Sequence, residues 1–320
     1  MKDRTLKGFI YGIIASAAYG MNPVFAVPLY DEGMDPISVL FFRYLLGIPA
    51  VWLLMRLRGR HAMIGAPIIG RISLLGVLMA LSSVTLFFSY NNLDVSIAST
   101  ILFVYPLLVA LIMVIFYHEI MSYLTYFCML GAIVGVFLLC KSSTEDTVLS
   151  SFGVFLVLVS AISYAVYIVL VNHRPYKSVA TLTLTFWVMA FGLATLAIIV
   201  CVRGRLDVPV TLGMWFNAVM LAIVPTVISF LFTNMAIENI GATSTAALGV
   251  FEPLTAVIFG VLMFGETLTM SNFVGILLIL MCTTLVITRR DITRRILAIR
   301  TLFPKAGRHL HRHSSHRGNK

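Results

Sequence analysis

The amino-acid sequence predicts an all-α polytopic membrane protein, with ten transmembrane helices arranged as two inverted five-helix repeats around a central cavity. Three observations predict it. The chain is 60% hydrophobic and only 11% charged, with a mean hydropathy of +0.99. A soluble domain carries roughly 25% charged residues, so there is more apolar surface here than a water-soluble core can bury. Apolar runs of about 20 residues, the length that crosses a bilayer, recur ten times along the chain. Residues 99–122 reappear, without a gap, as residues 246–269.

The runs place spans at 7–29, 36–56, 70–91, 95–117, 122–140, 151–171, 180–202, 212–236, 241–264 and 270–288. The first follows a positive start, MKDRTLK, as a secretory leader would. Its apolar run is long enough to span, and no small-residue cleavage site follows it. Connections are short and carry turn or cap chemistry, as in DEGMDP at 31–36 and KSSTEDT at 141–147. No soluble domain fits between the spans. Cys128, Cys140, Cys201 and Cys282 lie in or at the ends of apolar runs without metal spacing, and read as small core residues.

Lys and Arg collect on the cytoplasmic side of membrane proteins. With the N-terminus inside, nineteen of the twenty-three fall inside and three outside, namely Lys141, Arg203 and Arg205. Arg43 lies within a span. This orientation makes both termini cytoplasmic and the chain a multi-pass protein of the plasma (inner) membrane. Residues 289–320 are a basic tail in which Ile292, Ile296, Ile299 and Phe303 share one helical face. That pattern suits a segment lying on the anionic cytoplasmic leaflet, so membrane lipid is an expected partner. His309, His311, His313 and His316 follow; a disordered basic tail is the plainer reading than a metal site. No cofactor is expected, nor nucleic acid, since no aromatic interleaving accompanies the charge.

Across the repeat Pro106 meets Pro253, Leu107 meets Leu254, Ala110 meets Val257, Phe116 meets Met263, Glu119 meets Glu266 and Ser122 meets Thr269. Each lies in the fourth span of its half. ASAAYG at 15–20 and SAISYA at 160–165 echo one another in the first spans. The units are therefore 1–142 and 148–288. Five is odd, so two such units enter the bilayer from opposite sides. Inverted repeats put a substrate path at the midplane, lined by interrupted helices. Pro106 and Pro253 each remove a backbone hydrogen bond at equivalent depth, and Pro23 does so in the first span; all three are expected hinges. Glu252 stands about 11 residues into its span, or ~17 Å along a helix, near the middle of a ~30 Å core. A carboxylate there must face a partner or water.

On these residues the chain resembles the EamA-type transporters of the drug/metabolite transporter superfamily. The signatures are P-x12-E-x2-S at Pro106, Glu119 and Ser122, and E-P-x12-E-x2-T at Glu252, Pro253, Glu266 and Thr269. The resemblance covers about 7–288. It implies inverted five-helix repeats with a central cavity, and secondary transport, often outward, of amino acids, other small metabolites or drugs. Tyr105 stands in the first half where the second has Glu252, so charge is lopsided across the pseudo-two-fold. The long basic tail is a second departure.

Glu252 leads the substrate-binding candidates. It meets a cationic group or carries a coupling proton, unless it only caps freed backbone. Arg43, seven residues past Pro36 and so ~10 Å deep, holds a substrate carboxylate or pairs with Glu252, unless it snorkels or neutralises Asp94. Asn22 donates to substrate or to a carbonyl that Pro23 frees. Tyr19, Tyr90, Asn91, Tyr105, Tyr164, Tyr167, Thr226 and Asn234 are polar groups on spans that would line the cavity; tyrosines also form interfacial belts. Glu119 and Glu266, which end their spans in YHE and FGE, read as structural residues beside the capping Ser122 and Thr269.

Other functions fit less well. HEIMS at 118–122 lacks the second histidine of a zinc protease, and there is no P-loop. No histidine lies deep enough to serve a serine protease. No catalytic set is therefore expected. A nucleotide-sugar or phosphate-ester antiporter of the same superfamily calls for several deep basic residues, and only Arg43 qualifies. A non-transporting scaffold leaves the repeat unexplained.

Overall fold

The computed structural model describes residues 2–59, 65–117, 123–141, 150–171, 179–240, 245 and 248–285. The first span is two helices, α1 (Lys2–Gly20) and α2 (Asn22–Asp31), broken at Met21 just before Pro23. Then come α3 (Pro36–Leu57) and α4 (Ala66–Ser89). The fourth span is again two pieces, α5 (Val95–Leu102) and α6 (Tyr105–Tyr117), with Pro106 in the first turn of α6. Next are α7 (Tyr123–Lys141), α8 (Ser151–Val171) and α9 (Thr181–Arg203). The eighth span runs from α10 (Leu212–Ala222) through a π-helical stretch, Ile223–Ile228, into α11 (Ser229–Ile240). The ninth is a 3-10 turn, Leu248–Val250, followed by α12 (Phe251–Phe264), and the tenth is α13 (Met270–Leu285). Among the described residues seven of the ten expected spans are helices long and apolar enough to cross a membrane, and the fifth, ninth and tenth are shorter apolar helices.

Local chemistry sets the ends and the breaks. The Asp35 carboxylate accepts the Ser38 amide at 3.4 Å and starts α3, and the Thr211 hydroxyl accepts the Met214 amide at 3.1 Å and starts α10. Gly204 closes α9 with φ at 64°, a conformation that favours glycine. The π-helical stretch was not foreseen. Its cause is Pro225, which has no N–H for the carbonyl of Leu221; the Thr226 hydroxyl donates to that carbonyl instead, at 3.4 Å. π-helical stretches of this kind recur at functional sites.

The two halves pack as an inverted pair. α1 lies along α11 and α4 lies along α8. The first span corresponds to the sixth and the eighth to the third, so these are one interface written twice. α5 of the first half also packs on α12 of the second. Between α7 and α13 the backbones touch: a methyl on Gly135 or Gly275 would sit 3.0 or 2.9 Å from the other's carbonyl oxygen. The largest core gathers Leu29, Leu40, Phe87, Ile97, Ile101 and Phe103 at the waist. Outside it Phe116, Phe127, Ile133, Phe155 and Val202 face outward, as lipid-contacting side chains do. Of the cysteines, Cys128 and Cys282 are buried as expected. Cys201 is exposed instead, because it falls on the outward face of α9. The side chain of Cys140 lies outside the described set.

Candidate functional site

The interrupted helices converge on Glu252. It is in the first turn of α12, where the partial positive charge of a helix N-terminus favours an anion. The backbone of α1 presses against it: Gly20 has no room for a methyl, which would meet the carbonyl oxygen of Glu252. Lower on α1, Gly12 abuts Leu248 and Gly8 abuts Asn239 and Ile240. α1 therefore rises past α11 and the ninth span from the face that carries the N-terminus. A cavity of about 270 Å³ occupies the space along this rise, lined by Ser16, Tyr19, Tyr105, Tyr164, Ser229, Thr233, Thr245 and Glu252.

Its upper wall is aromatic. Tyr105 meets Tyr164 edge-on with ring centres 4.8 Å apart, and Tyr164 stacks on Tyr167 at 5.9 Å. Tyr19, Tyr90, Tyr105 and Tyr164 all lie within electrostatic reach of Glu252. A carboxylate flanked by tyrosine rings is suited to a cation, which the ring faces and the charge both attract.

A second, smaller chamber of about 60 Å³ lies beyond Tyr19 and Phe230, which line both. Arg43, Tyr44, Tyr167, Thr185 and Thr226 face it. Arg43 is 8% exposed. Its Nε donates to the Thr226 hydroxyl at 3.2 Å, and its guanidinium lies 5.4 Å from the centre of the Phe87 ring. Tyr19 lies between Arg43 and Glu252, within reach of both. Among the described residues the two charges do not pair with one another, and neither meets another opposite charge.

The sequence-predicted residues divide accordingly. Tyr19, Tyr105, Tyr164 and Glu252 line the larger chamber, and Tyr19, Arg43, Tyr167 and Thr226 line the smaller. Tyr90 packs on Phe87 at 5.6 Å, behind them. Asn22 lines neither chamber: its Nδ2 donates at 2.8 Å to the carbonyl of Tyr19, the group four residues before Pro23. Its Oδ1 is buried without a partner. Asn91 is exposed in the turn after α4. Pro23, Pro106 and Pro253 each stand at a helix start in an interrupted span. The side chain of Asn234, all of Glu119 and the tail 289–320 lie outside the described residues. Sequence reasoning passed over Ser16, Ser229, Phe230, Thr233 and Thr245. A signal existed for three of them, since Ser229, Phe230 and Thr233 follow Pro225 on the helix it distorts.

The face opposite the N-terminus is tied shut between the halves. Arg203, at the end of α9, donates to Asp35 at 2.8 Å. The Asp35 amide donates to Asp207 at 3.1 Å, and the Asp207 amide to the Ser38 hydroxyl at 3.0 Å. Thr211 donates to Glu32 at 2.9 Å. Arg205 pairs with Asp207 at 2.8 Å and holds its carboxyl below the usual carboxylate range. Arg203 and Arg205, discordant in the charge count, are thus matched by acids on the same face.

The chain matches the EamA-like transporter family over residues 6–140 and again over 151–288. It is 27% identical over 271 residues to a protein of Archaeoglobus fulgidus named an uncharacterized transporter, covering 82% of this chain and 90% of the relative. It is 25% identical over 278 residues to the uncharacterized transporter YcbK of Bacillus subtilis, covering 84% and 88%. A solved crystal structure with 17% identity superposes with a TM-score of 0.63 over 92% of this chain and 99% of the other, a likeness of fold. Two family matches, one on each five-helix half, agree with the repeat and with the cavity between its copies: the chain belongs to the EamA-like transporter family.

Proposed function

We propose that the protein is a secondary transporter that exports a small metabolite, such as an amino acid or a drug-like compound, by alternating access and without altering it chemically. The observation that carries this reading is a pair of mutually unpaired charges within the spans, buried Arg43 and half-buried Glu252, with Tyr19 lining both chambers between them. Burying either charge is costly without a compensating partner. A solute with a cationic and an anionic end offers both. On this reading Glu252 receives the cationic end against Tyr105 and Tyr164, Arg43 the anionic end, and Tyr19 moves between them.

The units that rock are residues 1–142 and 148–288, with 289–320 a cytoplasmic tail resting on lipid. The positive-inside bias makes the N-terminal face cytoplasmic, so the larger chamber is the inward-facing pocket and the Asp35–Arg203 tie closes the outside. A nucleotide-sugar or phosphate-ester substrate is disfavoured, because Arg43 is the only deep cation among the described residues. The test is counterflow of labelled solutes into liposomes containing the purified protein, over a panel of amino acids, polyamines, nucleosides and cationic drugs. Parent protein is expected to exchange one class, and Glu252→Gln, folded to the same extent, to lose it. Equal exchange by Glu252→Gln would retire the assignment.

A further inference from the structure

The smaller chamber holds a cation whose counter-charge is missing. Arg43 is more than nine-tenths buried at bilayer depth, and the residues facing the chamber include no carboxylate. Its described contacts are neutral: the hydroxyls of Thr226 and Tyr19 and the ring of Phe87. Thr226 takes one of its five N–H donors and Tyr19 accepts another, which leaves the rest for a ligand. Much of the remaining wall is apolar, from Met79, Val188, Met189, Pro225 and Phe230. A guanidinium in such surroundings costs several kcal/mol unless an anion joins it, and the cost is repaid best where apolar walls keep water from screening the pair.

We propose that the Arg43 chamber is a binding site for one small monovalent anion of halide or carboxylate size. A volume of about 60 Å³ has room for a halide ion or a carboxylate head. Arg43 on α3 and the Tyr19 hydroxyl on α1 both face the chamber. Thr226 orients the guanidinium by accepting from Nε while giving its own proton to Leu221. That fixes the guanidinium plane through Nε alone. The π-helical stretch at Pro225 therefore has a second consequence, because it positions the hydroxyl that aims Arg43.

The anion has two possible sources, an inorganic ion or the carboxylate of a transported solute. The second rests on the transport reading above; the first does not. The full chain, purified in detergent in sodium isethionate, which carries no carboxylate, is titrated at constant ionic strength with chloride, bromide or acetate, and its apparent melting temperature is read. The expected result is a saturable rise of a few degrees with at least one of the three. That rise should be absent in Arg43→Gln and need roughly tenfold more anion in Thr226→Val, the loss of one charge-orienting hydrogen bond. A response to halides identifies the inorganic source; a response to acetate alone identifies a solute carboxylate. Should Arg43→Gln fail to fold, Thr226→Val decides. No response in the parent, or a response unchanged in the variants, overturns the proposal. The measurement uses no gradient and no solute flux, so counterflow succeeding while the titration fails would retire the anion site alone.

Discussion

Glu266, at the end of the ninth span, accepts the backbone amide of Ser96 at 3.1 Å, and the amide of Val95 at 2.5 Å; the Ser96 hydroxyl donates to the same carboxylate. A residue of the second half thereby caps α5, the start of the fourth span in the first half. Gly260 leaves the space, since a methyl there would meet both the carboxylate and the Ser96 hydroxyl. Glu266→Ala is expected to destabilise the protein by ~2 kcal/mol, because it leaves helix-start amides without an acceptor. Glu266→Gln, which keeps one acceptor oxygen, should lose about half of that. Melting in detergent, followed by size-exclusion chromatography, checks both, and a larger loss for Gln than for Ala would refute the capping role.

The Asp35–Arg203 tie predicts which variants open the far face. An exposed pair is worth up to ~1 kcal/mol, or about a fivefold change in a two-state population. With the native cysteines removed and Met189→Cys placed in the smaller chamber, Arg203→Ala should speed labelling by an impermeant maleimide from that face by up to about fivefold, and Arg203→Lys should change it little. The pH dependence follows from Asp207, whose carboxyl is held below its ordinary 3.8 by Arg205. A lowered value means that the ionised acid favours the tie at any pH above the ordinary value, and that the contribution is lost only as pH falls through the lowered one. Labelling, divided at each pH by that of an exposed reference cysteine because the thiolate fraction itself falls with pH, should therefore be flat from about pH 5 to pH 8 and rise only in stronger acid.

Much of this was legible in the chain. The apolar runs fixed the spans because lipid leaves a backbone no option but the helix, and the Pro106/Pro253 register exposed the repeat. Arg43, Glu252 and Tyr19 stood out because polar groups at that depth need a reason. What stayed hidden depended on neighbours distant in sequence. Nothing local in FGE shows that Glu266 caps Val95 and Ser96, 170 residues away or more. Nothing in CVRGRLD shows that Arg203 reaches Asp35. Asn91 misled for the opposite reason: it follows Tyr90 in sequence, but α4 has ended there, and the turn carries it to the surface.

Gly20 predicts a link between packing and transport. A methyl at this position would collide with the carbonyl of Glu252 and the Thr255 side chain, a backbone contact that rotamer changes cannot relieve. Overpacking of this kind costs about 1–3 kcal/mol. Gly20→Ala is expected to fold with a lowered melting temperature and to lose most counterflow, since α1 must part from α12 just where Tyr19 and Glu252 face the cavity. Gly33→Ala is the control: its neighbourhood is open, although its φ of 91° costs some stability. Full counterflow by Gly20→Ala would show that the close approach is dispensable.

Asn22 and Pro23 predict non-additivity. Pro23 cannot donate to the carbonyl of Tyr19, and the amide of Asn22 does so instead. Asn22→Leu alone then leaves a buried carbonyl unpaired, at a cost of about 1–3 kcal/mol. Pro23→Ala restores a backbone N–H four residues beyond Tyr19, so Asn22→Leu should cost less in that background. A double-mutant cycle on melting temperature measures the coupling, expected at ~1 kcal/mol. If Asn22 serves substrate instead, through its unpartnered Oδ1, the cycle on stability will be additive while counterflow falls in both backgrounds. The two readings therefore separate on one set of four proteins: coupling in stability identifies repair of the broken helix, and loss of exchange without coupling identifies a contact to the solute.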